Sequence, residues 1–463
     1  MKKLNLLVSV FILMAMVLTA CVTAAPQPTA TSVPPTQVPP TVAPTTPAAT
    51  VAPTAVPAPA LGPVLKIGML SAQTGAVAFY GKAQERGFRI GLEYVSGGKK
   101  DDQGRYIVAN RPVELIVRDT GGVTDTAVSM ARELIEKDGV EILQGPVLSA
   151  EAVALTTLAQ QNKMILMVDP AASAAITGAS FNPYVFRTSR TSYDDTLVIA
   201  KYLVDNVGKT FASIAVDTAF GKSGFTALKF AVTKYGGSIA DGGEIYAPAD
   251  TKDFTSYIQK AIDTKAQNLF LTWAGTGYVT LFQQLSDLGA FKNMKVATGF
   301  GDNPSFQSVF GQAIAYVGQI GLSVYHYTAP SNPVNDFLTQ HYFAEYKEPP
   351  DLFSPGGMAS AIALAAALTK TNGDASGDKM IPALEGLKFD GPKGTYFIRP
   401  EDHVCLQPMY ILKLVNLDPH KDSNGIPKYD WFTKVYESKY DELGIPCTLT
   451  GDYANRCGTL PKP

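Results

Sequence analysis

Histidine is scarce in this chain: four in 463 residues, His326, His341, His403 and His420, with no metal-ligand spacing among them and no HExxH. A metal-dependent hydrolase would lack its ligands. No Gly-x-Gly-x-x-Gly follows the first apolar run of the folded region, which argues against a dinucleotide enzyme. Gly221-Lys222-Ser223 resembles the end of a phosphate-binding loop, but Val216 stands where the leading glycine is required. A Gly-x-Ser-x-Gly nucleophile turn is missing as well. Charge of one sign is also lacking, since 39 Lys and Arg face 41 Asp and Glu for a net charge of -2, and nothing suits a nucleic acid. The expectation is a protein that is not an enzyme and carries no cofactor or metal.

The amino terminus reads as an export signal over residues 1–20. Met1-Lys2-Lys3 supplies the positive end, and Leu4 to Leu18 an apolar core shorter than a membrane-spanning helix. It closes with Leu18-Thr19-Ala20-Cys21, which resembles the bacterial lipobox, in which the cysteine is acylated and becomes the new first residue. The other reading is a chance cysteine after an ordinary signal. Residues 21–63 are almost all Ala, Pro, Thr and Val with no charged side chain, so they cannot build a core and read as an extended tether. The expected location is extracytoplasmic, anchored to a bacterial membrane through Cys21.

The length suits two lobes, each with its own core. The most informative stretch runs from Val140 to Ser173. Val140-Glu141-Ile142-Leu143 ends in Gln144-Gly145-Pro146-Val147-Leu148-Ser149, a helix-period segment follows, and Met164 to Val168 ends in Asp169-Pro170-Ala171-Ala172-Ser173. Short apolar runs alternating with helical segments predict a parallel sheet buried on both faces. Ligands of such sheets sit beyond the carboxyl ends of the strands, where helices begin. Ser149 and Ser173 can each offer a hydroxyl there, and near a helix start a backbone N–H, a combination suited to a small anion; both could equally be plain helix caps. Units of this layout occupy Val64 to Arg187 and Thr188 to about Ile320. In the first, the small positions of the helix containing Ala83, Gly87 and Gly91 are expected to pack closely on the sheet. Gly394–Ile398 and Met409–Val415 read as a terminal hairpin. Cys447 paired with Cys457 is the first choice for a disulfide that staples the tail; Cys405 paired with either is the rival.

From about Leu65 to Val415 the chain resembles the bacterial branched-chain amino-acid (Leu/Ile/Val) type of periplasmic binding protein, the receptor component of an ABC uptake system. The pieces that carry the resemblance are Ser71 to Gly75 with Phe79-Tyr80-Gly81, Arg118-Asp119, Gly145 to Ser149, Pro170 to Ser173, Phe220-Gly221, Asp253-Phe254, Asp402-His403 and Gln407-Pro408. It implies an α/β fold of two doubly wound parallel-sheet lobes joined by a three-strand hinge, the type I periplasmic binding protein fold. The domains it implies are 64–187 plus 325–395 for the first lobe, 188–324 plus 396–440 for the second, and 441–463 for a tail. Hinge crossings are expected near Arg187, Tyr325 and Tyr396. By the resemblance, Ser149 and Ser173 hold a carboxylate, the Ala171 carbonyl and an acid at Asp302 hold an amino group, and Tyr80, Phe220 and the Trp273–Thr276 loop wall the pocket. For Phe220 and Trp273 the alternative is ordinary packing. The implied function is capture of an amino acid or related small carboxylate or amide between the lobes and delivery to a membrane permease, by a monomer. A ligand-sensing receptor with a signalling partner and, further off, an exported hydrolase are the alternatives.

Overall fold

The computed structural model describes residues 60–299, 301–305, 320–415, 420–421 and 427–463. The expected signal peptide, Cys21 and nearly all of the tether lie outside the described residues.

The first α/β unit runs β1 (Leu65–Ser71), α1 (Ala78–Ser96), β2 (Ile107–Val108), β3 (Arg111–Asp119), α2 (Thr124–Glu133), β4 (Ile142–Gln144), α3 (Ser149–Gln161), β5 (Ile165–Val168) and β6 (Val185–Arg187). Its sheet has the order β2-β3-β1-β4-β5-β6. All pairings are parallel except the β2 edge. Side chains alternate between faces along a strand, so Leu65, Ile67 and Met69 of β1 enter one core while Leu70 enters another on the opposite side. Burial of both faces is why these strands read as unbroken apolar runs rather than as alternating ones.

The second unit repeats the plan: α4 (Ser192–Asn206), β7 (Thr210–Val216), α5 (Ala219–Lys234), β8 (Ser238–Ala247), α6 (Thr255–Asp263), β9 (Asn268–Thr272), α7 (Tyr278–Asp287), α8 (Ala290–Asn293) and β10 (Lys295–Thr298). Its four strands are parallel in the order β10-β9-β7-β8. Both sheets therefore have a switch point, between β1 and β4 in one and β7 and β9 in the other, where successive connections leave in opposite directions and a crevice opens. The fold is α/β with two doubly wound lobes.

Helix α1 meets the sheet through Phe88 and Leu92, which share a core with the β1 side chains, while its small positions Gly87 and Gly91 pack on another helix instead. A Cβ at Gly87 would lie 1.9 Å from the Ser354 carbonyl oxygen, and one at Gly91 would lie 2.7 Å from the Ala361 Cβ, both on the helix Ser354–Lys370. Glycine there lets two backbones approach where any side chain would clash. That second helix is apolar nearly all round because it is buried nearly all round.

The chain crosses between the lobes at Thr188–Arg190, at Val324 and at Gln407, all of which line one small chamber. The Gln407 amide donates to the Thr188 carbonyl at 3.0 Å, tying two crossings together. The third crossing thus lies beyond Tyr396. Gly394–Ile398 pairs with Lys388–Gly391 and with Cys405–Leu406 in a local antiparallel meander, and Tyr396, Ile398 and Cys405 pack with the first-lobe β1 side chains. The segment 396–406 consequently belongs with the first lobe, and the expected hairpin between 394–398 and 409–415 does not form. Tyr410–Leu414 pairs instead with Ile320–Ser323 and Phe432–Glu437.

Cys447 and Cys457 form a disulfide with Cα atoms 5.7 Å apart, and Cys405 is a buried thiol. The two half-cystines cluster with Phe181 and Leu449, and Arg456 stacks 5.1 Å above Phe181 while pairing with Glu385 at 2.7 Å. The disulfide end of the tail is thereby held on the first lobe, while Leu443 and Ile445 pack in the second-lobe core.

Candidate functional site

A cleft of about 350 Å³, its mouth included, is lined from the ends of six parallel strands. Val77 and Tyr80 follow β1, Val147 to Ser149 follow β4, and Pro170 to Ala172 follow β5; Arg190 follows β6, Phe220 follows β7 and Ala274 follows β9. Phe353 closes the remaining side. Both switch points open into the same space, where ligands of open α/β sheets bind.

Of the expected residues, Ser149 lines the cleft as the first residue of α3. It is not the helix cap, a position taken by Leu148. The first-turn N–H groups of α3 and the Ser149 hydroxyl therefore meet at the cleft floor, and both favour a negative charge. Ser173 stands one step behind. Its N–H donates to the Ser149 Oγ at 3.1 Å, and its own Oγ accepts from the Ala175 N–H, capping a short 3-10 turn.

Ala171 lines the cleft, but its carbonyl is already engaged: it accepts from Arg187 Nη2 at 2.6 Å and from Ser189 Oγ at 2.8 Å. The neighbouring Pro170 carbonyl accepts from Arg190 Nη1 at 2.9 Å. The Ala172 carbonyl accepts from the Ser192 N–H at 2.9 Å and from its hydroxyl at 3.3 Å. Two arginines, one ending β6 and one three residues on, thus brace the turn after β5. Burial lowers Arg187 to about 10, which leaves it cationic at neutral pH.

Tyr80 reaches across the cleft. Its hydroxyl accepts from the Gly275 N–H at 3.3 Å and donates to Asp302 Oδ2 at 3.5 Å. Asp302 is buried one hydrogen bond back from the lining, with Oδ1 accepting from the Ser305 N–H at 2.8 Å. Burial raises its pKa, and burial together with the Asp302 charge raises that of Asp351, whose carboxylate accepts from the Asn303 N–H. Two carboxyls this close in a dry site cannot both ionise readily.

Phe220 lines the cleft, half-buried. Trp273 does not: it is fully buried, edge-on to Phe254 at 4.8 Å, with its Nε1 donating to the Thr276 carbonyl at 3.1 Å. Thr276 is exposed to solvent. The wall from this loop is made by Ala274, because the indole is turned inward to fill the second-lobe core.

Arg190 and Phe353 are cleft residues that the sequence reading passed over. Arg190 is 2 % exposed, pairs with Asp195 at 3.2 Å and lies 5.7 Å from the Phe353 ring centroid. A detectable signal was the pair of arginines, Arg187 and Arg190, directly after an apolar strand, where a sheet of this kind places its ligand. No group of three or more potential metal ligands occurs among the described residues.

Comparison with known proteins agrees with this geometry. The profile of the family described as periplasmic binding protein matches residues 64–422. A Leu/Ile/Val-binding protein homologue of Brucella melitensis is 27% identical over 370 residues, covering 78% of this chain and 90% of that protein. The crystal structure of an ABC-type branched-chain amino acid transporter from Rhodopseudomonas palustris superposes with a TM-score of 0.68 at 32% identity, covering 84% of this chain and 100% of the other. A solute-binding protein of an ABC transporter from another R. palustris strain, crystallised with 3,4-dihydroxybenzoic acid, superposes with a TM-score of 0.69 at 26% identity, covering 81% and 98%. With both lobes, the hinge and a cleft at the two switch points in place, the chain belongs to the periplasmic binding protein family, the solute-binding receptors of ABC transporters.

Proposed function

We propose that this chain is the receptor of an ABC import system, held outside the cell membrane by a lipidated Cys21 and the 21–63 tether, which captures an amino acid or related small carboxylate or amide between its lobes and presents it to a permease. The observation that carries the reading is the Ser149 hydroxyl at the start of α3 on the cleft floor. Of the solved relatives named above, one is named a branched-chain amino acid transporter and the other was crystallised with 3,4-dihydroxybenzoic acid, and a carboxylate is what those two kinds of molecule share. Hinge bending at the three crossings closes the lobes, excludes water and strengthens each polar contact to the anion. Closure also gives the loaded receptor a shape that a permease can distinguish from the empty one. The family is one of receptors rather than enzymes, and the ligand leaves unchanged.

The test is calorimetric titration of the full chain, purified in detergent and stripped of carried-over ligand by unfolding and refolding, against amino acids, small carboxylates and amides. Saturable binding of one small solute with a negative heat-capacity change supports the receptor reading. Failure to bind any of them, or chemical conversion of one, sinks it.

A further inference from the structure

We infer that the cleft selects a monocarboxylate that lacks an α-ammonium group, with Arg190 as the cationic wall against which its carboxylate lies. The inference rests on the receptor reading and narrows its ligand. An α-ammonium brings three N–H donors, and each must find an acceptor once water is excluded. The turn after β5 is where those acceptors would be, and its three successive carbonyls are all engaged by the protein itself. Pro170 is held by Arg190, Ala171 by Arg187 and Ser189, and Ala172 by Ser192. The Ala171 oxygen has two lone pairs and two donors.

The acids nearby do not replace them. Asp302 is separated from the cleft by Tyr80 and accepts from Ser305, and Asp351 is turned to the backbone of Asn303 and Leu352. Asp195 is already paired with Arg190 Nε at 3.2 Å and lines not the cleft but an adjoining space that shares Phe220 with it. Among the described residues, Arg190 is the one charged side chain that lines the cleft, and the rest of the lining beyond Ser149 and Tyr80 is apolar. A zwitterion would place its cation beside a guanidinium, with no carboxylate among the described lining residues and only the second lone pair of the Pro170 carbonyl and the Ser149 and Tyr80 hydroxyls to accept its three N–H donors. A carboxylate gains the guanidinium, the Ser149 hydroxyl and the start of α3 together.

The experiment uses two matched pairs that differ only in the α-ammonium: leucine against 4-methylpentanoate, and phenylalanine against 3-phenylpropanoate, titrated calorimetrically into the stripped full chain. The deamino member of at least one pair is expected to bind ten-fold or more tightly than its amino-acid partner. An amino acid that binds as well as or better than its deamino partner overturns the inference and leaves the receptor reading intact. Binding of an amide with no binding of any carboxylate does the same. If nothing in the wider set of amino acids, carboxylates and amides binds, the receptor reading falls and the inference falls with it. Arg190→Gln should then weaken the preferred carboxylate at least thirty-fold while changing 4-methylpentanamide binding little; equal loss for both would mean that Arg190 only braces the turn. Should that variant fail to fold, the matched pairs on the unaltered chain decide the matter.

Discussion

On the first-lobe side of the cleft, the turns after β4 and β5 pair their polar groups within the protein: Ser173 N–H to Ser149, and the 170–172 carbonyls to Arg187, Ser189, Arg190 and Ser192. On the second-lobe side, the turns after β7 and β9 bring Phe220 and Ala274, with no charged group. Both walls come from the same place in the same kind of sheet, so the difference lies in the turns and not in the scaffold. A fixed polar wall can orient an anion in the open state at little reorganisation cost, whereas an apolar wall contributes mainly when the lobes close and its area leaves water. The first lobe therefore reads the head of the ligand and the second lobe covers its body.

The polar wall is backed by a strained charge balance, and the largest predicted effect lies there. Asp169, directly before the Pro170 turn, is buried with one carboxylate oxygen lacking a hydrogen-bond partner. Burial pushes it up to about 8, opposed by the charges of Arg190, Arg187 and Lys393. Between its ordinary value near 4 and about 8, the folded chain holds a proton that the unfolded chain has lost, so this group makes stability fall as pH rises through that window. Asp169→Asn removes the titration. Its stability relative to the parent should climb from pH 4 to 8 and level off above, by no more than about 1.4 kcal/mol per pH unit, the one-proton limit. Urea unfolding at pH 5, 6, 7 and 8 measures it, and a difference independent of pH would show that Asp169 is ionised throughout.

The two walls should then separate in binding. Ser149→Ala should weaken the ligand by about 1.5–3 kcal/mol, the usual worth of a hydrogen bond to a charged group, with an intact heat-capacity change because the apolar wall still closes. Phe220→Ala should cost about 1.5 kcal/mol through lost apolar burial, and here the heat-capacity change should become less negative. Titration at several temperatures distinguishes the two. If both variants changed the heat capacity equally, the division of labour between the lobes would be mistaken.

The strand ends were legible in the sequence because a parallel strand buried on both faces must be a short apolar run, and a run's end marks where a ligand can sit; Ser149 is placed at the cleft that way, and Ala171 and Phe220 through the family resemblance. What the sequence could not carry was the direction a side chain takes after the strand ends. Trp273 and Ala274 are adjacent, and whether the large or the small one faces the cleft depends on a hole beside Phe254 that only the assembled core creates. Arg190 is a similar case: a charged residue is expected at the surface, and its burial depends on Asp195 and Pro170 meeting it from other elements. The boundary at Tyr396 was displaced because a local antiparallel meander and a crossing between lobes are written in the same alternating residues.

The smallest predicted effect tests the apolar wall most directly, because it asks which side of the 273–276 turn belongs to it. Trp273→Phe keeps an aromatic ring against Phe254 and removes the Nε1 donor to the Thr276 carbonyl. Thr276 is exposed, so water can take over the vacated acceptor; the lost hydrogen bond should cost about 1 kcal/mol of stability, with a further cost from the space that the smaller ring leaves in the core. Ligand affinity should stay within about threefold, since a change confined to the core does not alter what lines the cleft. Loss of affinity well beyond that, without matching loss of stability in the empty protein, would place the indole against the ligand and make the second wall aromatic at two points rather than one.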